Sequence, residues 1–326
     1  MITDVPGVLV GQYERIGGGW ATGTTVVLTP AGATGAVDQR GGAPGTRETN
    51  LLEPENLVRR VNAICLSGGS AYGLAAADGV MRWLGERDYG FQIGAQPHEV
   101  VPIVPAAVIF DLPRSEWGNR PDASFGYAAC EAATGESVAQ GCVGAGAGAT
   151  VGSLKGGVGT ASEEVAEYTV GGLAVVNASG EAVSAETGLP FAADHEVAGE
   201  FGVRWPGRPG DVAAAATKLN TTIGVVAVDA DLSKAECRRL AVAAQDGLAR
   251  AVRPAHTMFD GDTVFALATG ERELPAGEAQ RVVALDALCS AAARVFARSI
   301  VHGVLSAESV AGVPAYRDVW PEAFPA

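Results

Sequence analysis

Lys218–Leu232 reads KLNTTIGVVAVDADL. Asn220, Thr221 and Thr222 stand directly before a run that alternates like a buried β-strand. Trp205–Thr217, WPGRPGDVAAAAT, precedes it and is rich in Pro, Gly and Ala. Two hydroxyl residues thus mark the border between a loose segment and a strand. A Thr hydroxyl is a poor nucleophile unless a base takes its proton. One arrangement needs no histidine. If the peptide bond before the Thr is cut, the new α-amine sits on the same residue. Its ordinary pKa is about 7.7–8.0, so a useful fraction is neutral near pH 7 and can act as base for its own Oγ. A threonine at a strand edge, behind a segment able to move away, meets that need. On these residues alone, a strand with a polar entry is the better explanation of the stretch.

The remainder of the 326-residue chain is globular in composition, with 48% hydrophobic and 18% charged residues. It is expected to form one catalytic domain, 1–326. Net charge is −14, which argues against nucleic acid and anionic membrane as partners. The opening MITDVPGVLVGQ does not resemble a signal peptide, no apolar run reaches the roughly 18 residues of a membrane span, and a cytoplasmic location is expected. Five scattered cysteines and four scattered histidines, without a CxxC or HExxH, predict reduced thiols and no metal site. No cofactor is expected.

Along the chain, Gly7–Tyr13 and Gly23–Pro30 predict a strand pair, and 36–52 mostly loop. Asn62–Arg87 predicts strand, Gly-Ser turn and helix, with Ser70 as N-cap. Ala106–Leu112 predicts a strand and Pro121–Thr134 a helix. Ser184–Lys218 reads as a long excursion. Ser233 with Glu236 forms a capping box opening a helix to Val252, and Ala279–Leu305 predicts a long helix. Strands and helices mix without a strict βαβ rhythm, so a layered α/β arrangement is expected rather than a doubly wound sheet.

Familiar catalytic signatures fall short. LSGGSAYG misses the nucleophile elbow, because Tyr72 stands where G-x-S-x-G needs glycine. GAGAGATVG and KGGVGT lack the GK[ST] of a phosphate loop. Asp260 and Asp262, in DGD, read on spacing alone as a turn with solvated charges.

The combination is more specific. DVPGVLVG, GTTVV, AVDQRGGAPGTRET, ICLSGGSAYGL, VGAGAGATVGSLKGGVGTAS, LAVVNASG, NTTIGVVAVDADL and HTMFDGDTVFALATGE together resemble the self-processing peptidases that include L-aminopeptidase/D-esterases and β-peptidyl aminopeptidases. The NTT and DGD forms are most similar to the nylon-oligomer hydrolase branch. The resemblance runs from about Ile2 to about Val310.

It implies the αββα four-layer sandwich of N-terminal-nucleophile hydrolases. It also implies a precursor that cuts itself between Asn220 and Thr221 into chains 1–220 and 221–326. These would stay associated, as homo-oligomers of the paired chains, tetramers by the resemblance. Thr221 is the implied nucleophile, and Thr222 should point to the opposite strand face. Asn177 matches the oxyanion-stabilising asparagine. Lys155 matches a lysine near the nucleophile, whose charge would lower the amine pKa. Asp260 and Asp262 match an acidic pair lining the site, able to hold the threonine by hydrogen bonds. The glycines before Lys155 would bring the main chain close to Thr221. The implied substrate is a small peptide or amide.

Two departures bear on specificity. The aminopeptidase branch carries a serine and a glutamate where this chain has Asp260 and Asp262. Nylon-oligomer hydrolases carry a pocket tyrosine where this chain has Phe110. An acyltransferase of the ornithine-acetyltransferase type and a non-catalytic binding scaffold remain the alternatives.

Overall fold

A computed structural model of the chain describes residues 1–212 and 220–325. Its strands are β1 (Leu9–Gly17), β2 (Trp20–Gln39), β3 (Thr46–Arg47), β4 (Arg60–Ser67), β5 (Phe91–Gln92), β6 (Val100–Val101), β7 (Ala106–Val108), β8 (Thr150–Val151), β9 (Leu154–Lys155), β10 (Val158–Val165), β11 (Tyr168–Val175), β12 (Ile223–Ala230) and β13 (Thr263–Arg272). The α-helices are α1 (Ala76–Gly85), α2 (Ala123–Glu131), α3 (Lys234–Ala251), α4 (Glu278–Leu305) and α5 (Tyr316–Val319).

The main sheet runs β10-β11-β12-β13-β2-β4-β7-β3, with β1 on the open flank of β2. Strand β2 makes it two layers. Its first part pairs with β1 and β4, and its last part, Thr34–Gln39, pairs with β13. Between them the β2·β4 register slips from Leu28 to Ala33. Pro30 lacks a donor there and Gly32 takes φ +78°, so the strand bends without ending. The expected loop from residue 36 therefore begins only after Gln39.

Period-two alternation sorts the core into three apolar layers. Val226, Val228, Val264 and Ala266 pack under α3 and α4 with Leu240, Leu248, Val295 and Phe296. Ile223, Val225, Phe265 and Leu267 face the other way, against Ile64, Leu66, Ala107 and Ile109. The outer faces of β2 and β4, through Val26, Leu28, Ala63 and Cys65, pack on α1 and α2 through Ala76, Val80 and Ala129. Helices, sheet, sheet and helices follow in order: the expected αββα sandwich.

The predicted helices are present, and the Ser233–Glu236 capping box opens α3. By length and composition α4 is apolar enough to cross a membrane, contrary to the expectation of no such run, yet 78% of the qualifying stretch is buried within the protein. Part of the expected 184–218 excursion lies outside the described residues. Ser70 is not a helix cap. Its φ is +53°, it begins a 3-10 turn over Ser70–Ala75, and α1 starts only at Ala76. Gly69, at φ +82°, takes the cap position instead.

Candidate active site

Strand register builds the site. The antiparallel β11·β12 ladder pairs Val175 with Ile223. Continued by two residues, it sets Asn177 opposite Thr221, and Thr221 N donates to the Asn177 carbonyl at 2.5 Å. The parallel β12·β13 ladder pairs Ile223 with Thr263, and a bridge continues it to Asn220 and Asp260. Three neighbouring strand ends thus bring together 177, 220–222 and 260–262.

Alternation then decides which side chains meet. Thr221 shares the parity of Ile223 and Val225, whose side chains fill the layer between the two sheets. Thr222 falls on the opposite face. Thr221 is buried, at 5% exposure, beside a cavity of about 180 Å³ lined by Ala43, Gly45, Ser70, Val108, Ile109, Phe110, Asn220 and Phe259. Its Oγ lies against the carbonyl oxygen of Asn220 and accepts a hydrogen bond from Gly261 N at 3.2 Å. Phe110 lines this cavity too.

Asn177 is fully buried. Its Oδ1 accepts from Thr150 N at 2.9 Å, and its Nδ2 reaches the Phe110 carbonyl at a long 3.4 Å. The strong bond orients the amide, and the long one leaves the N–H₂ group weakly engaged.

Asp260 and Asp262 are placed differently from the expectation. They share the parity of Val264, which faces the α3–α4 layer. Asp260 accepts from Ser179 N at 2.9 Å, Thr257 N at 3.1 Å and Thr257 Oγ. Burial pushes its carboxyl up, while the bonds from Thr257 and Ser179 pull it down. Asp262 accepts from Thr222 N at 2.8 Å, His256 N at 3.1 Å and His256 Nδ1 at 2.8 Å. Neither carboxylate bonds Thr221. They brace the loop and the residue after it. Gly261, between them, donates its N–H to Thr221 Oγ, and a Cβ there would lie 2.4 Å from the Ala43 carbonyl.

Lys155 likewise makes no hydrogen bond to Thr221. Its Nζ donates to the carbonyls of Gly146 and Gly156, both at 2.8 Å. Burial pushes it down to about 8, opposed by Cys142 and Asp111. The glycine run serves other close approaches than the expected one. A Cβ on Gly156 would lie 1.8 Å from the Val176 carbonyl, and one on Gly148 would lie 2.2 Å from that of Ala21.

Sequence reasoning missed three participants. The Gly261 N–H carries no side-chain signal. His256 lies in HTMFDGD but carries no metal or triad spacing that would mark it; its Nε2 is buried and finds no partner among the described residues. Asp111 is fully buried, accepts from Gly69 N and Thr22 Oγ1, both at 2.6 Å, and is raised by that burial to about 6.

Comparison with known proteins follows the same lines. Residues 1–317 match the profile of peptidase family S58. An uncharacterized aminopeptidase of Mycobacterium bovis is 56% identical over 347 aligned positions, covering 99% of this chain and 98% of the relative. A 6-aminohexanoate-oligomer endohydrolase of a Kocuria species is 32% identical, over 83% of this chain and 76% of its own. Among solved structures, a Burkholderia β-aminopeptidase superposes with a TM-score of 0.73 at 23% identity, over 99% of this chain and 93% of the other. The L-aminopeptidase D-Ala-esterase/amidase of Ochrobactrum anthropi, described as a variant of the Ntn hydrolase fold, gives 0.72 at 21% identity, over 95% and 86%.

Proposed function

Since the chain belongs to peptidase family S58, we propose that it hydrolyses peptide or small amide bonds through Thr221, which it frees by cutting itself after Asn220. One observation carries this reading: the Thr221 hydroxyl lies against the carbonyl it would attack, with Gly261 N–H on its oxygen.

In the proposed maturation, Thr221 Oγ gives up its proton and bonds the Asn220 carbonyl carbon. The C–N bond breaks and the nitrogen leaves as the Thr221 amine, taking a proton. Water then hydrolyses the Asn220–Thr221 ester, leaving a carboxyl group on Asn220 and a free hydroxyl on Thr221. In turnover, the freed amine takes the Oγ proton as Oγ attacks a substrate amide. The substrate's amine departs with a proton, and water releases the acyl group. Asn177 Nδ2, held at the far side by Thr150, supplies the donor for the developing oxyanion.

The fold supports continued association of the products. Strands β12 and β13 lie on the C-terminal side of the cut, yet sit between β11 and β2 from the N-terminal side. Both ladders and the two flanking cores would hold the pieces together. The names of the relatives supply the candidate substrates: amino-terminal peptides and 6-aminohexanoate oligomers.

Intact mass under denaturing conditions tests the proposal. Two species of roughly 22 and 11 kDa, from chain lengths, with the smaller beginning at Thr221, are expected. Thr221→Ala should stay at 33.0 kDa and show no turnover. Cleavage or full activity in that variant would refute the assignment.

A further inference from the structure

We propose that Ser70 is the hydroxyl that holds the substrate's amide beside Thr221, in a pocket suited to short, uncharged aliphatic amides. The inference rests on Thr221 being the nucleophile.

Ser70 occupies a backbone conformation that disfavours any side chain, with φ +53°. Glycine would sit there without strain, so the serine calls for a reason. Capping is not the reason, because the following turn shows no side-chain cap bond. Its amide is already engaged: Ser70 N donates to the Ile109 carbonyl at 2.9 Å. Among the described residues nothing bonds the Ser70 hydroxyl, and the residue lines the cavity beside Thr221.

The turn that presents it is rigidly seated. Asp111 accepts from Gly69 N and from Thr22 Oγ1, both at 2.6 Å. A Cβ on Gly68 would lie 2.2 Å from Asp111 Oδ2 and from Thr22 Oγ1, and one on Gly73 would lie 1.7 Å from the Gly68 carbonyl. Strain of this kind persists only where the surroundings over-determine it, and it gathers where a side chain must be aimed.

The chemistry of the lining selects the ligand. Apart from Ser70, Asn220 and Thr221, the described lining residues are Ala43, Gly45, Val108, Ile109, Phe110 and Phe259, none of them charged. A charged group entering this cavity would lose its hydration without a partner. A neutral amide can exchange one water bond for the Ser70 hydroxyl and lay an aliphatic chain on Phe110 and Phe259.

The test compares wild-type, Ser70→Ala and Ser70→Gly chains on two uncharged aliphatic amides, N-acetyl-alanine methylamide and N-propylhexanamide. Both variants should mature normally, keep kcat within about twofold and raise KM roughly three- to tenfold, as expected for one neutral hydrogen bond made equally in ground and transition states. Unchanged KM in both variants would overturn the inference while leaving Thr221 as nucleophile. So would normal KM in Ser70→Gly with a raised KM in Ser70→Ala, since glycine removes the strain as well as the hydroxyl. A fully matured wild type inert on both probes would overturn the assigned ligand class. A wild-type chain that stays uncut would instead refute the reading of Thr221, and this inference with it.

Discussion

Replacing Lys155 with methionine should change the stability of the fold in a pH-dependent way, and the structure sets the size. The side chain is 1% exposed. Burial moves its pKa from 10.5 to about 8. At about 1.36 kcal/mol for each pH unit between those values, holding the charged form costs the native state roughly 3 kcal/mol. The sign follows from proton counting. Below about pH 8 both native and unfolded chains carry the proton, and the full penalty is present. Between about 8 and 10.5 the unfolded chain still carries it while the native chain has lost it, so wild-type stability rises with pH. Above 10.5 both are neutral and the penalty has gone.

Methionine keeps the length and removes the charge, but leaves the carbonyls of Gly146 and Gly156 without this donor. That loss costs about 1–3 kcal/mol in total and does not depend on pH. At pH 7 the two effects nearly cancel. By pH 10.5 the variant should be the less stable chain by about 1–3 kcal/mol. Urea unfolding at several pH values, in the uncut Thr221→Ala background, measures the difference, and comparison with the parent cancels the other titrating groups. A stability difference that stays flat from pH 7 to 10.5 would refute the reasoning.

Two further substitutions test the site itself. Asn177→Ala should lower kcat by about 10²–10³, the loss seen when an oxyanion donor is removed. Thermal unfolding should also show about 1–3 kcal/mol of destabilisation from the stranded Thr150 N–H, and a kcat within tenfold of wild type would remove Asn177 from the chemistry. Gly261→Ala forces a Cβ to within 2.4 Å of the Ala43 carbonyl and 2.7 Å of Pro44 Cα. Both are backbone atoms, so the loop must shift, at about 1–3 kcal/mol. Slower self-cleavage by time-resolved mass analysis is the expected result, and wild-type kinetics would show that Gly261 N–H does not position Thr221.

Much of the architecture was legible because its signals are local. The Ser233–Glu236 capping box, the alternation after Thr222 and the small-residue helix at Pro121–Thr134 each depend on near neighbours in the chain, and each element formed. The sequence makes strand β2 look too short, because Pro30 and Gly32 resemble a terminus. They are a bend, and only the pairing of Thr34–Gln39 with β13 shows that the strand resumes. The cap signal at Ser70 misleads for a related reason. Serine before a helical run signals a cap, but Asp111, about forty residues further on, holds Gly69 and turns the next residue into a left-handed conformation.

The sequence was enough for the family, the residues around the Asn220–Thr221 bond, the four long helices and most of the long strands. These rest on residue identity and on periods of two or about 3.6 residues, which short stretches carry whole. Tertiary structure alone decided which groups face the nucleophile. Asn177 comes opposite Thr221 through the β11·β12 register, and Gly261 through the β12·β13 register. The same alternation turns Asp260 and Asp262 to the other face. A strand's periodicity separates its two faces, but only the layers packed against them settle which face becomes the cavity and which becomes the brace.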